Sequence, residues 1–201
     1  MSFFTLTATT ELEAVNALLA AIGEAAVSSL ETATTVEVTQ AKNLLSNVNR
    51  ELQQRGWHFN TEWDVVLTRD GDNRIPLATN IMSVHQPGKL MTIRGRSGSP
   101  FVYDLDNNTF TWSGSLTNAI TISLLDFVDT PQTFRNYVVT RAARIFQEEV
   151  IGQVSAEAVN RQEEIQARAD FLQDEAERSG LNLGYGDYDT WNTTKFHRKL
   201  W

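Results

Sequence analysis

Residues 36–60 read VEVTQAKNLLSNVNRELQQRGWHFN, and the fold depends on how this stretch divides. Ala41, Leu44, Leu45, Val48 and Leu52 recur at the three- and four-residue spacing of one helical face. Gly56 supplies a stop, so the spacing predicts a helix over about 36–55. At Trp57 the character changes. From there to about Phe127 the chain carries β-branched and aromatic residues broken by turn signals.

Toward the N-terminus, Thr10 followed by Glu11 and Glu13 marks a helix start, with acids near the positive end of the dipole. Leu12, Val15, Leu18, Leu19 and Ile22 follow at helical spacing, and Gly23 closes the run. Two short amphipathic helices this close together read as a helical hairpin.

Toward the C-terminus, strands are predicted over 63–68, 90–94, 101–105, 109–112 and 119–125. The clearest hairpin surrounds Asp106, Asn107 and Asn108. Phe101, Tyr103 and Leu105 alternate before it, and Phe110 and Trp112 after it. Gly95, Gly98 and Pro100 mark an exposed loop. Helix returns after Pro131, with Phe134, Val138, Ala142, Ile145 and Phe146 as its apolar face. Gly152 interrupts, and a long polar helix is predicted over 155–179, closed by Gly180. Its Ala158, Gln162, Ile165, Ala169, Leu172 and Ala176 form a thin coiled-coil-like seam. The last stretch holds Tyr185, Tyr188, Trp191, Phe196 and Trp201 among Gly, Asn and Thr, with Lys195, Arg198 and Lys199.

The predicted class is therefore α+β, mainly α: a helical bundle with a β-rich insert between its second and third main helices, a long C-terminal helix and an extended tail. Residues 1–56 and 130–180 are expected to form one helical domain, 57–129 the insert and 181–201 the aromatic tail.

Composition narrows the function. The 201 residues carry a formal charge of −8, which disfavours generic nucleic-acid binding and is compatible with surrounding DNA without holding it. Cysteine is absent, which excludes disulfide frameworks, thiolate zinc sites and a thiol nucleophile. The opening ten residues lack the basic-then-apolar pattern of a signal peptide, and no apolar run reaches the ~18 residues of a membrane span. Assembly in a cytoplasm is the expectation.

Catalytic templates fail in turn. Gly88-Lys89 is followed by Leu90, so there is no phosphate loop. His58, His85 and His197 are scattered singly, which makes no metal-ligating set. Asp70-Gly71-Asp72-Asn73 hints at a calcium loop, but Ile81 stands where the closing Glu would be required, and a plain turn is expected. The acid pairs Glu148-Glu149, Glu163-Glu164 and Asp174-Glu175 lie on predicted helices, where neighbours diverge by about 100°. Glu157–Arg161, Glu164–Arg168 and Asp174–Arg178 are four apart, acid first, as in a salt-bridged helix face. No catalytic residue, metal ligand or cofactor is expected. Arg55, Trp57 and Phe59 form the densest local feature. They are read either as a helix stop with both rings packed inward or as interface anchors. Trp191, Phe196 and Trp201 either fold back or dock on a neighbour, since large aromatics left in water are unfavourable.

The run Glu11-Leu-Glu-Ala-Val-Asn-Ala-Leu-Leu-Ala-Ala-Ile-Gly-Glu24, then Ala26, Val27 and Leu30, resembles the start of the tail tubular protein A family, the head-to-tail adaptors of short-tailed bacteriophages. The resemblance continues through Ala41, residues 44–49 and Gln53-Gln-Arg-Gly-Trp-His-Phe-Asn60. It resumes over 131–146, at Phe134, Tyr137, Val138, Ala142, Arg144 and Phe146. It implies a virion-tail protein forming a ring of twelve copies between the portal and the tail nozzle. Double-stranded DNA passes through the lumen, and the ring helps retain the genome. It also implies that the helices build the ring body while the β portion projects toward tail components. Residues 148–178 hold nine acids and three arginines, a net of −6. Glu157, Glu163, Glu164, Asp170, Asp174 and Glu175 are accordingly expected on a lumen or subunit face. Two other readings stand beside this one. A polysaccharide or cell-envelope hydrolase would show two convergent carboxylates of raised pKa. A non-viral helical interaction module would not need to self-associate.

Overall fold

The computed structural model describes residues 8–32, 35–96, 98–152 and 157–178, which form a mixed α+β fold, mainly α. Helix α1 (Glu11–Ala21) opens with a capping box: the Thr10 hydroxyl accepts from the Glu13 amide at 3.2 Å, and the Glu13 carboxylate accepts from the Thr10 amide at 2.8 Å. It buries Ala14, Val15, Leu18 and Leu19, and the chain leaves through Gly23 at φ +81°. Helix α2 (Val36–Gln53) buries Val38, Ala41, Leu45, Val48 and Leu52. Both pack on α3 (Gln132–Ile151), which contributes Phe134, Tyr137, Val138, Ala142 and Phe146 and ends at Gly152 in the left-handed region. Helix α4 (Glu157–Arg178) lies along α3 and adds one large side chain, Phe171, to this core.

The segment between α2 and α3 builds two small sheets. Strands β1 (Thr61–Leu67), β2 (Ile81–His85) and β5 (Leu116–Ser123) form one sheet in the order β1-β5-β2, all antiparallel neighbours. Strands β3 (Met91–Arg96) and β4 (Ser99–Asp104) form a separate hairpin. A second core of Ile75, Val84, Val102, Trp112 and Leu116 lies among them, with the Trp112 indole donating to the Val102 carbonyl at 3.1 Å. Register slips occur twice between β1 and β5, once on each strand, and Asp64 and Asn118 take positive φ there. The two bulges compensate, so pairing is regained at both ends, while Trp63 (52% exposed) and Val66 are left facing water.

The insert joins the helices through a narrow neck. Gly56 (φ +75°) turns the chain where a Cβ would meet the Ile122 side chain at 2.6 Å. The buried Gln53 side chain then treats Leu125 as a strand would. It accepts from the Leu125 amide at 2.9 Å and donates to the Leu125 carbonyl at 2.9 Å. The Asn60 side chain donates to the carbonyls of Gln53 (3.0 Å) and Ser123 (2.9 Å) and accepts from the Trp57 amide at 2.7 Å. Entry and exit of the insert are thus tied to each other and to the end of α2.

Several sequence expectations change. The turn at Asp106–Asn108 exists, but residues 109–112 make only isolated bridges, at Thr109 and Thr111. The Asp104 carboxylate accepts from the amides of Asp106 and Asn107 and from the Asn107 side chain, and Asn108 takes φ +53°. That local network tightens the turn, and Phe110 then packs its ring across Tyr103 and Phe101 instead of extending a ladder. Gly95 and Pro100 are paired within the β3–β4 hairpin, not held in a loop. Strand β2 leaves little signal in the sequence, because Ile81–His85 alternates weakly and is followed by Gln86 and Pro87.

The seam on α4 is also corrected. Ile165 (57% exposed) and Leu172 (38%) face outward, and the body side is set by Glu164, Ala167, Phe171, Asp174 and Glu175. One buried Phe and three carboxylates with partners on the body outweigh a row of small residues, so the helix is turned to present its polar edge inward.

Candidate assembly interface

The inner face of α4 is held by charge and aromatic contact together. Phe171 meets Trp57 edge-on at 4.8 Å, Phe134 at 5.2 Å and the Tyr137 ring in a stack at 6.2 Å. Phe59 joins the same cluster, 5.0 Å from Phe134, and the Trp57 indole donates to the Leu52 carbonyl at 2.8 Å. Trp57 and Phe59 are therefore packed inward, on a turn that precedes β1, while Arg55 is exposed beside them.

Glu164 does not pair with Arg168. Its carboxylate takes Arg144 at 2.5 Å and Arg141 at 3.2 Å, and Arg141 also reaches Glu51 at 2.8 Å, so one cluster bridges α2, α3 and α4. Burial alone would lower the pKa of Arg144, but hydrogen bonds to Glu164 and Glu148 raise it. Asp174 accepts from the Thr133 hydroxyl at 2.7 Å and pairs with Arg178 at 2.7 Å, the i,i+4 contact that the sequence predicts. Arg178, then Thr133, hold the Asp174 carboxyl below the usual range. Glu175 accepts from the His58 amide at 2.7 Å and pairs with the His58 ring, tying α4 to the neck of the insert. His58, read from sequence as a lone histidine, owes this role to tertiary contact. The repeat 164, 167, 171, 174 was the signal that could have shown the inner face.

Glu163 and Asp170 stand on the outer surface, with Asp170 accepting from Gln166 at 2.7 Å. Glu157 begins α4, but its side chain lies outside the described residues, as do Trp191, Phe196 and Trp201. The structure thus separates the six helix acids. Three are engaged within the subunit, two are outward, and one is undescribed.

The other candidate chemistry resolves into local structure. The Asp70 carboxylate accepts the amides of Asp72 (2.9 Å) and Arg74 (2.8 Å) and pairs with the Arg74 guanidinium, closing a plain turn. The Arg74 amide, foremost, lowers the Asp70 pKa; for Asp104 the Asn107 side chain does so, and for Glu13 the Thr10 amide. These are signatures of satisfied carboxylates, the opposite of a general acid. The β3–β4 hairpin presents Arg94 over the Tyr103 ring at 3.7 Å, and Lys89 lies over Trp112 at 5.3 Å. On the helical body, a groove beside α4 is lined by Ala17 and Ala21 of α1, Val139, Thr140, Ala143 and Arg144 of α3, and Glu163.

No helix among the described residues is long and apolar enough to cross a membrane. A family model described as Tail tubular protein matches residues 12–181, which takes in the helical body, the insert and α4. A search of curated proteins finds no match.

Proposed function

The chain belongs to the tail tubular protein family, a structural component of the phage virion tail, and from that premise we propose that it is the adaptor ring between the portal and the tail nozzle. In this reading twelve copies close around a lumen, and double-stranded DNA passes through it during packaging and ejection. The ring assembles in the host cytoplasm and helps retain the genome, and it has no enzymatic activity. The helical domain, residues 1–56 and 130–180, forms the ring wall, and the insert of 57–129 projects toward tail components.

The observation that carries this reading is the outward-turned face of α4. A helix that anchors by its inner edge while leaving Ile165 and Leu172 in water is built for a neighbour. The net charge of −8 fits a wall past which DNA slides, because like charge prevents adhesion. The lowered carboxylate pKa values support the non-catalytic reading.

Mass measurement of the purified protein, alone and then mixed with the portal protein, tests the proposal. A closed ring in either condition is expected. A chain that stays monomeric in both overturns the ring.

A further inference from the structure

The outward side of α4 carries two unlike edges. Arg161 and Arg168 form one, and Glu163, Asp170 and Glu177 the other, each at a seven-residue repeat. Residues two apart on a helix differ by 200°, so the edges lie about 160° apart, on nearly opposite flanks. Arg168 is exposed and has no carboxylate partner among the described residues, because Glu164 is committed to Arg141 and Arg144. Glu163, on the other flank, is likewise exposed and unpaired among the described residues. One helix therefore holds, among the described residues, a cation without an ion-pair partner on one side and such an anion on the other.

The surroundings of the two flanks differ in the same complementary sense. The acidic flank, at Glu163, borders the groove lined by Ala17, Ala21, Val139, Thr140, Ala143 and Arg144. Its alanines leave room for a helix to approach closely, and the Arg144 charge there is already met by Glu148 and Glu164. The apolar Ile165 and Leu172 lie on the arc next to the basic flank. A ridge with a basic edge and a groove with an acidic rim, on one chain, define a head-to-tail contact. For α4 running along the ring axis, rotation keeps neighbouring α4 helices parallel and at the same axial level. Arg168 then lies about 3 Å along the axis from the neighbour's Asp170 and about 7.5 Å from its Glu163, within reach of a long side chain.

Resting on the ring reading above, we infer that α4 makes the lateral contact between copies: Ile165, Leu172 and Arg168 of one copy seat in the α1–α3 groove of the next, against Glu163 on its rim and Asp170 two turns farther along the same flank. The occupant of the groove is a second copy of this chain. Because the charges sit on different flanks, the contact propagates in one direction around a ring and does not pair two copies face to face.

The absence of cysteine makes the test direct. Full-length chain carrying Ile165→Cys and Ala17→Cys together is treated with a short bis-maleimide in assembled rings. A covalent ladder of dimers, trimers and longer species is expected, with no product from either single variant. Dimers from Ile165→Cys alone mean that the ridges meet each other, and they overturn the proposal. Rings of full mass without any covalent product also overturn it, while leaving the ring reading intact. A monomer with or without portal removes the ring reading and this contact with it. As a second measurement, Arg168→Glu raises the concentration for half-assembly by about tenfold, and adding Asp170→Arg in the same chain restores it. Failure of that restoration, with both variants folded by circular dichroism, counts against the pairing.

Discussion

Gln53 shows how much one side chain can decide. It is fully buried at the last turn of α2 and completes both backbone hydrogen bonds of Leu125, a residue with no strand partner of its own. Replacing it with Ala leaves the half-buried Leu125 amide unpaired and its carbonyl with only the long 3.5 Å bond from Asn49, and the expected cost is about 1–3 kcal/mol in chemical denaturation. An unchanged midpoint would mean that water enters and substitutes. Sequence could not reveal this role, since a Gln on a helix reads as solvated unless its distant partner is known. Trp57 and Phe59 were more legible. Their position just past the Gly56 stop made inward packing a natural reading, and the ring contacts with Phe171 and Phe134 agree.

At the level of elements, helical periodicity carried reliable information where the apolar face was dense. Most of each predicted stripe of α1, α2 and α3 is buried, with Leu12, Ile22, Leu44 and Ile145 half-buried at the margins and Ala14, Val38 and Tyr137 added by the structure. It misled on α4, where the regular spacing of small residues competed with a single Phe and with partners for Glu164, Asp174 and Glu175 on other elements. The strand predicted over 109–112 failed for a related reason, while those over 63–68, 90–94, 101–105 and 119–125 have counterparts in β1, β3, β4 and β5. The Asp104 turn network and the Phe110 ring end what alternation alone would extend. The two faces of α4 can be told apart by stability. Phe171→Ala should cost about 3–5 kcal/mol, because it empties the junction of Trp57, Phe134 and Tyr137. Leu172→Ser, next to it in sequence, should change monomer stability by less than about 0.5 kcal/mol. Thermal melts of the two variants read the difference, and equal losses would contradict the orientation described.

For the molecule as a whole, the satisfied carboxylates set its response to acid. Glu13 caps α1, Asp174 secures α4, and Asp70 and Asp104 close turns in the insert; each is held below the usual carboxylate value. A group whose folded pKa lies below its unfolded one stabilises fully above the unfolded value and loses that contribution as pH falls through the folded value. Stability should therefore be flat in this respect above about pH 5 and decline progressively below about pH 4. Helical and insert signals should fall together, since both regions carry such groups. Fluorescence and circular dichroism titrations check this, and an insert that outlasts the helices would show that the acids act unequally.

The neck has a further consequence. Thr61 pairs with Ile122, and Asn60 bonds Ser123, so the chain leaves the helical body and returns to it at adjacent points. Seen from the helices, everything between is a loop whose ends already touch, and closing such a loop depends only weakly on its length. Removing 62–121 and bridging the gap with a short Gly-Asn turn should leave a cooperative helical melt. By the same arithmetic the appendage can be lengthened, shortened or exchanged while the scaffold that carries it stays the same, which makes the neck a graft point for a different insert.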